Sequence, residues 1–142
     1  MERVIEFSFN HPLLIVALAV VLAALIANEY MNYRRSRNAI DTTEATLLYN
    51  RDAAVFVDIR NENAYQSSHL PGAINIPLEH LDKQHDRLKR FSDRSIVVYC
   101  DRGQRTLKAV LALQAQGWET VHQLKGGIEA WREASMPTEG RS

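Results

Sequence analysis

The sequence is poor in cysteine, with one thiol in 142 residues. One thiol closes no internal disulfide, and no four Cys or His residues have the spacing of a zinc site, so neither a disulfide scaffold nor a structural metal is expected. That composition suits a reducing compartment. There is no excess charge of either sign, since 17 Lys and Arg balance 17 Asp and Glu. Without a net field a general nucleic-acid binder is excluded, and charge-driven binding has to come from local clusters. Internal repeats and low-complexity stretches are also missing, and the length has room for one ordinary globular domain rather than a two-domain enzyme.

The mean hydropathy of -0.27 averages two unlike parts. Residues 7–28 hold no Asp, Glu, Lys or Arg, and Leu13 to Ala27 reads LLIVALAVVLAALIA without a polar side chain. Crossing about 30 Å of hydrocarbon takes about 20 residues. The run reaches that length with Phe7, Phe9 and Pro12 before it, while Tyr30 and Tyr33 supply interfacial rings and Arg34 and Arg35 can snorkel from the helix end. A cleaved signal peptide is the first rival and a buried core helix the second. The start MERVIEF offsets Arg3 with Glu2 and Glu6, and ALIANEY offers no small-x-small cleavage site, which favours an uncleaved anchor binding the bilayer through residues 12–33. Arg34, Arg35 and Arg37 against Arg3 alone place the N-terminus outside and the remainder in the cytoplasm, as in a single-pass bacterial inner-membrane protein. Ala19, Ala23 and Ala27 form a small-xxx-small stripe, which is either plain helix composition or a packing face for a membrane-protein partner or a second copy. The expected division is a flank at 1–11, a transmembrane helix with its interfacial end at 12–33, a linker at 34–39, a domain at 40–137 and a tail at 138–142.

Within the domain, Asp41-Thr-Thr-Glu44 has the form of a capping box opening a helix to about Asn50. AVFVD at 54–58 and SIVVYC at 95–100 are continuous apolar runs, the pattern of strands covered on both faces. Further strands are expected at 73–76 and 120–124. Helices are expected at 61–67, at 105–116 before Gly117, at 127–134, and as one polar amphipathic helix from Pro77 to about Phe91. Such alternation predicts an α/β fold, a small, mainly parallel sheet with helices on both faces, preceded by one transmembrane helix.

Ligands of such sheets bind beyond the carboxyl ends of the strands. Asp58 and Arg60 follow one strand there, and Cys100 follows another, ahead of the loop Asp101-Arg102-Gly103-Gln104-Arg105 and a helix opening at Thr106. Unpaired amides at a helix N-terminus stabilise a thiolate, Gly103 lets consecutive amides converge on one anion, and Arg102 and Arg105 add positive charge. Asp58 and Arg60 are expected to form structural bonds beneath this loop. His69 is expected to brace its turn through the backbone, and Trp118 and Trp131 to pack in the core. No metal site and no cofactor are expected.

The loop CDRGQRT at 100–106 resembles the active-site loop of the rhodanese family of sulfurtransferases, Cys-x-x-Gly-x-Arg-Ser/Thr. VDIR at 57–60, HLPGAINIP at 69–77 and GWETVHQLKGGIEAW at 117–131 are similar to that family's other motifs, in its order. The resemblance implies a rhodanese-like fold. It further implies that Cys100 takes sulfane sulfur from thiosulfate or a persulfide donor, holds it as a persulfide and passes it to a thiol or cyanide acceptor. The amides of 101–105 would hold the persulfide, and Arg105 would pair with the donor's oxyanion or brace the loop. Asp101 would repel a dianion if it faced the pocket. The related phosphatases and arsenate reductases place five residues between Cys and Arg to enclose a tetrahedral oxyanion, whereas four separate Cys100 from Arg105, a smaller ring suited to one sulfur. A membrane-tethered interaction or sulfur-carrier module with little turnover is the alternative reading.

Overall fold

The structure, a computed structural model, describes residues 11–141. The expected flank with Glu2, Arg3, Glu6, Phe7 and Phe9 lies outside the described residues apart from His11. The chain divides into two units between Arg37 and Asn38.

The first unit is helix α1, Pro12–Arg37. Proline at the first helical position has no amide to leave unpaired, and no glycine or proline follows to stop the helix. At 1.5 Å per residue its 26 residues span about 39 Å. Its apolar side chains are exposed along the whole length, and Pro12–Arg34 is long and apolar enough to cross a membrane. Arg34 lies over the Tyr30 ring one turn back, 5.8 Å from its centre. Residues 34–37, expected in a linker, continue this helix, and a strand begins two residues later.

The second unit holds five strands: β1 (Ala39–Ile40), β2 (Ala54–Asp58), β3 (Ile74–Asn75), β4 (Ser95–Tyr99) and β5 (Val121–Leu124). They form one sheet in the order β1-β5-β4-β2-β3, and every pairing is parallel. Alternate residues of β2 and β4 face opposite sides, and both sides are covered. Val55, Val57, Ile96 and Val98 pack with Leu81, Leu88, Val110 and Leu113 on one face. Phe56, Val97 and Tyr99 pack with Ala45, Leu70, Ile128 and Trp131 on the other. Helix α2 (Thr42–Asn50) is capped by Asp41, whose carboxylate accepts from the Glu44 amide at 2.8 Å, and α3 (Glu62–Ser67) is capped in the same way by Asn61.

The single amphipathic helix expected over 77–91 is broken into a 3-10 turn at Leu78–His80, a short helix α4 (Leu81–Gln84) and a 3-10 helix at His85–Phe91. Leu78 and Leu81, and again Leu88 and Phe91, lie three residues apart, and residues so spaced eclipse one another in a 3-10 turn and reach the same core. Helices α5 (Thr106–Ala115) and α6 (Gly127–Glu133) complete the unit. The segment after Pro137, expected as a tail, is pinned: the His69 and Glu139 backbones exchange hydrogen bonds of 2.7 and 2.8 Å, and the Arg141 amide donates to the Gln66 carbonyl.

Candidate active site

Strand β4 is central in the sheet and runs directly into Cys100, whose side chain is 2% exposed. The chain then makes a tight loop over 101–105 and enters α5. The Gly103 amide donates to the Cys100 sulfur at 3.1 Å. Gly103 has φ +83, a backbone conformation that favours glycine. Buried Thr106 fixes the far side of the loop, its hydroxyl 2.9 Å from the Gly103 carbonyl oxygen and 2.8 Å from Gln123 Oε1 on β5. Among the described residues the amides of Asp101, Arg102, Gln104 and Arg105 make no hydrogen bond within the chain.

Beneath the loop, Asp58 and Arg60 form a buried ion pair with an Nη2–Oδ2 distance of 2.7 Å, and Asp58 also accepts from the Arg60 Nε and backbone amide. Burial works against the Arg60 charge, but the Asp58 hydrogen bonds and charge outweigh it and hold the guanidinium above its ordinary pKa. Arg60 donates to the Ser68 carbonyl at 2.6 Å and reaches Asp101 at 3.4 Å. Arg105 Nη2 approaches the other Asp101 oxygen at 3.8 Å. The Asp101 carboxylate therefore lies between two guanidiniums, which offset its charge. Arg102 turns elsewhere, donating to Glu129 at 2.9 Å with its side chain largely exposed. Of the two loop arginines, only Arg105 lines the adjoining groove, a cavity of about 890 Å³ bordered also by Ile59, Tyr65, Asn75 and Arg87.

A sequence profile of the rhodanese-like domain matches residues 41–134. The chain belongs to the rhodanese-like domain family. The thiosulfate sulfurtransferase GlpE of Pseudoalteromonas translucida is 30% identical over 95 residues, covering 67% of this chain and 89% of that protein. YibN of Escherichia coli K12 is 28% identical over 138 residues, 96% of each chain. A solved rhodanese-related protein from Thermoplasma volcanium superposes with a TM-score of 0.63 at 28% identity, covering 73% of this chain and 99% of that one.

In this rhodanese domain the site also depends on residues to which the sequence assigns no role at the loop. Gly126-Gly127, at the passage from β5 to α6, abuts the 101–105 loop, and a side chain on Gly127 would collide with the carbonyl oxygens of Cys100 and Asp101. Those carbonyls accept from the amides of Ile128 and Glu129 in the first turn of α6, at 2.9 and 3.1 Å. Asn75 donates through Nδ2 to the carbonyls of Asp58 and Arg60, tying β3 to the ion pair. The double glycine after β5 is the sequence signal of the first contact, while Asn75 and Gln123 lie inside motifs at 69–77 and 117–131 whose spacing gives them no role of their own. His69 stacks on Tyr65 with ring centres 4.0 Å apart, and its Nδ1 is 2.8 Å from the Tyr65 carbonyl oxygen.

Proposed function

We propose that this rhodanese domain is a sulfurtransferase working through a Cys100 persulfide, and that α1 holds it at a bacterial inner membrane with the domain in the cytoplasm. The observation that carries the reading is the Gly103 amide 3.1 Å from a buried sulfur, in a loop whose other amides find no partner among the described residues. The Cys100 thiolate attacks the outer sulfur of thiosulfate. A new S–S bond forms, the donor's S–S bond breaks, and sulfite leaves with the bonding pair. The loop amides are the groups able to hold the extra sulfur as an anion, and Arg105 is the cation available to the donor's oxygens. Cyanide then attacks the outer sulfur and leaves as thiocyanate, returning Cys100. Persulfide donors enter the same cycle with a thiol as leaving group.

The similarity to the sulfurtransferase GlpE over most of that protein supports the chemistry. An exposed apolar helix whose last turn carries Arg34 and Arg37 supports the anchor and its orientation. The test is the intact mass of the protein after thiosulfate treatment. One added sulfur that cyanide removes is expected, and none should appear in Cys100→Ser. Wild-type protein that takes up no sulfur would leave a tethered binding module as the account. Protease should digest the domain in inside-out vesicles and spare it in spheroplasts; the reverse pattern refutes the orientation.

A further inference from the structure

The groove lined by Arg105 extends along the carboxyl end of β3 to the 78–91 segment, and two more arginines, Arg87 and Arg90, line it there. Four other arginines of the domain meet carboxylates: Arg60 pairs with Asp58, Arg94 with Asp52, Arg102 with Glu129, and Arg105 approaches Asp101. Among the described residues Arg87 and Arg90 form no ion pair. Neutral groups hold them instead. Arg87 Nη1 donates to the Asn75 carbonyl at 3.0 Å and to Gln84 Oε1 at 3.1 Å, and the Arg90 guanidinium lies 4.9 Å from the centre of the Phe91 ring. The acids in the groove are Glu62 and Glu79, and Glu62 accepts from the Gln66 amide at 3.0 Å. Two positioned guanidiniums without carboxylates leave fork-shaped donor sets open for an anion.

The sheet supplies a ruler. Tyr99, Asp58 and Asn75 are in register across β4, β2 and β3. Two inter-strand steps of about 4.8 Å put the backbone of Tyr99, the residue before Cys100, about 10 Å from that of Asn75, whose carbonyl accepts from Arg87, and this sets the scale rather than the exact length of the path from sulfur to guanidinium.

Building on the persulfide reading, we propose that this groove binds the sulfur acceptor, and that the acceptor is a thiol carrying a carboxylate about 10 Å from its sulfur, the reach of two or three extended residues. The carboxylate docks on Arg87 and Arg90 while the acceptor thiolate attacks the outer sulfur of Cys100–S–SH. The acceptor's S–S bond forms, the Cys100 S–S bond breaks, and its electron pair returns to Cys100 as thiolate. The acceptor leaves as a persulfide, and no oxidant or reductant is consumed.

The test uses the full chain in detergent, loaded with thiosulfate, freed of excess donor and followed by intact mass in single turnovers. The probes are 3-mercaptopropionyl-glycyl-glycine and its C-terminal amide, which differ only at the end remote from the thiol. The acid should unload Cys100 about fivefold faster at subsaturating concentration, the effect of one partly exposed ion pair, and the ratio should shrink as salt is added. Arg87→Gln and Arg90→Gln, made separately, should each bring the ratio towards one. Equal rates for acid and amide in the wild type, or a preference that survives both substitutions, overturns the acceptor site. Slower loading by thiosulfate in these variants, with an unchanged acid-to-amide ratio, assigns the groove to the donor and also overturns it. Wild-type protein that never loads refutes the persulfide reading itself, a failure visible before either probe is added.

Discussion

Substituting alanine at Gly127 isolates the contact between α6 and the 101–105 loop. Gly127 has φ +60, and a β-carbon there meets the carbonyl oxygens of Cys100 and Asp101. The conformation alone costs alanine about 1–2 kcal/mol. Relieving the clash moves the loop away from the Ile128 and Glu129 amides, which hold those two oxygens, and weakening two hydrogen bonds adds about 1–2 kcal/mol. Gly117 is the control: its φ is +94 and nothing lies within 4 Å of a β-carbon placed there, so Gly117→Ala carries the conformational cost alone. Urea unfolding read by tryptophan fluorescence reports this unit selectively, because both tryptophans, Trp118 and Trp131, belong to it. With a slope of about 2 kcal/mol per molar, Gly127→Ala should unfold about 0.5–1 M earlier than Gly117→Ala. It should also slow sulfur loading of Cys100 at urea-free conditions where both variants are folded. Equal midpoints and equal loading rates would refute the argument that α6 braces the loop.

Arg105→Ala should reduce sulfur transfer from thiosulfate by about tenfold or more, and Arg102→Ala by less than about twofold, because Arg102 is engaged by Glu129; initial rates of thiocyanate formation compare them, and equal losses would mean that only total charge matters. Asp58→Ala strands the buried Arg60 charge and should cost about 3–5 kcal/mol in the same urea assay, whereas exposed Asp52→Asn, which weakens a surface pair with Arg94 and keeps a side chain suited to the φ of +57 there, should cost under about 1 kcal/mol. Burial, then the Asp58 charge, raises the Tyr99 pKa, so its folded form keeps the proton that an unfolded tyrosine loses near pH 10; its contribution to stability is complete below about pH 10 and falls as pH rises beyond it. An alkaline absorbance titration should show Tyr99 ionising only as the domain unfolds, and early ionisation of all five tyrosines would contradict this.

The inner strands β2 and β4 were legible because coverage on both faces writes an unbroken apolar run, and the parallel arrangement followed from the helices between them. Strand β1 was not. Two residues carry no periodicity, and Ala39 and Ile40 are a strand only because β5 lies beside them. The 78–91 segment deceived for a different reason, since apolar residues three apart fit either an α-helical stripe or a 3-10 turn. At the site, the order Cys100, Gly103, helix could be read along the chain. The partners that hold it could not, because Gln123, Ile128 and Asn75 approach from other elements and local spacing says nothing about them.

The two outermost strands are also the shortest, β1 and β3 at two residues each. A sheet edge is a template for another chain in proportion to the row of free donors and acceptors it presents. Here either side gives an incoming strand barely one ladder rung to copy, and Asn75 at one rim already spends its side chain on the neighbouring carbonyls. Edge-to-edge extension of one sheet into the next is therefore disfavoured even where copies crowd side by side.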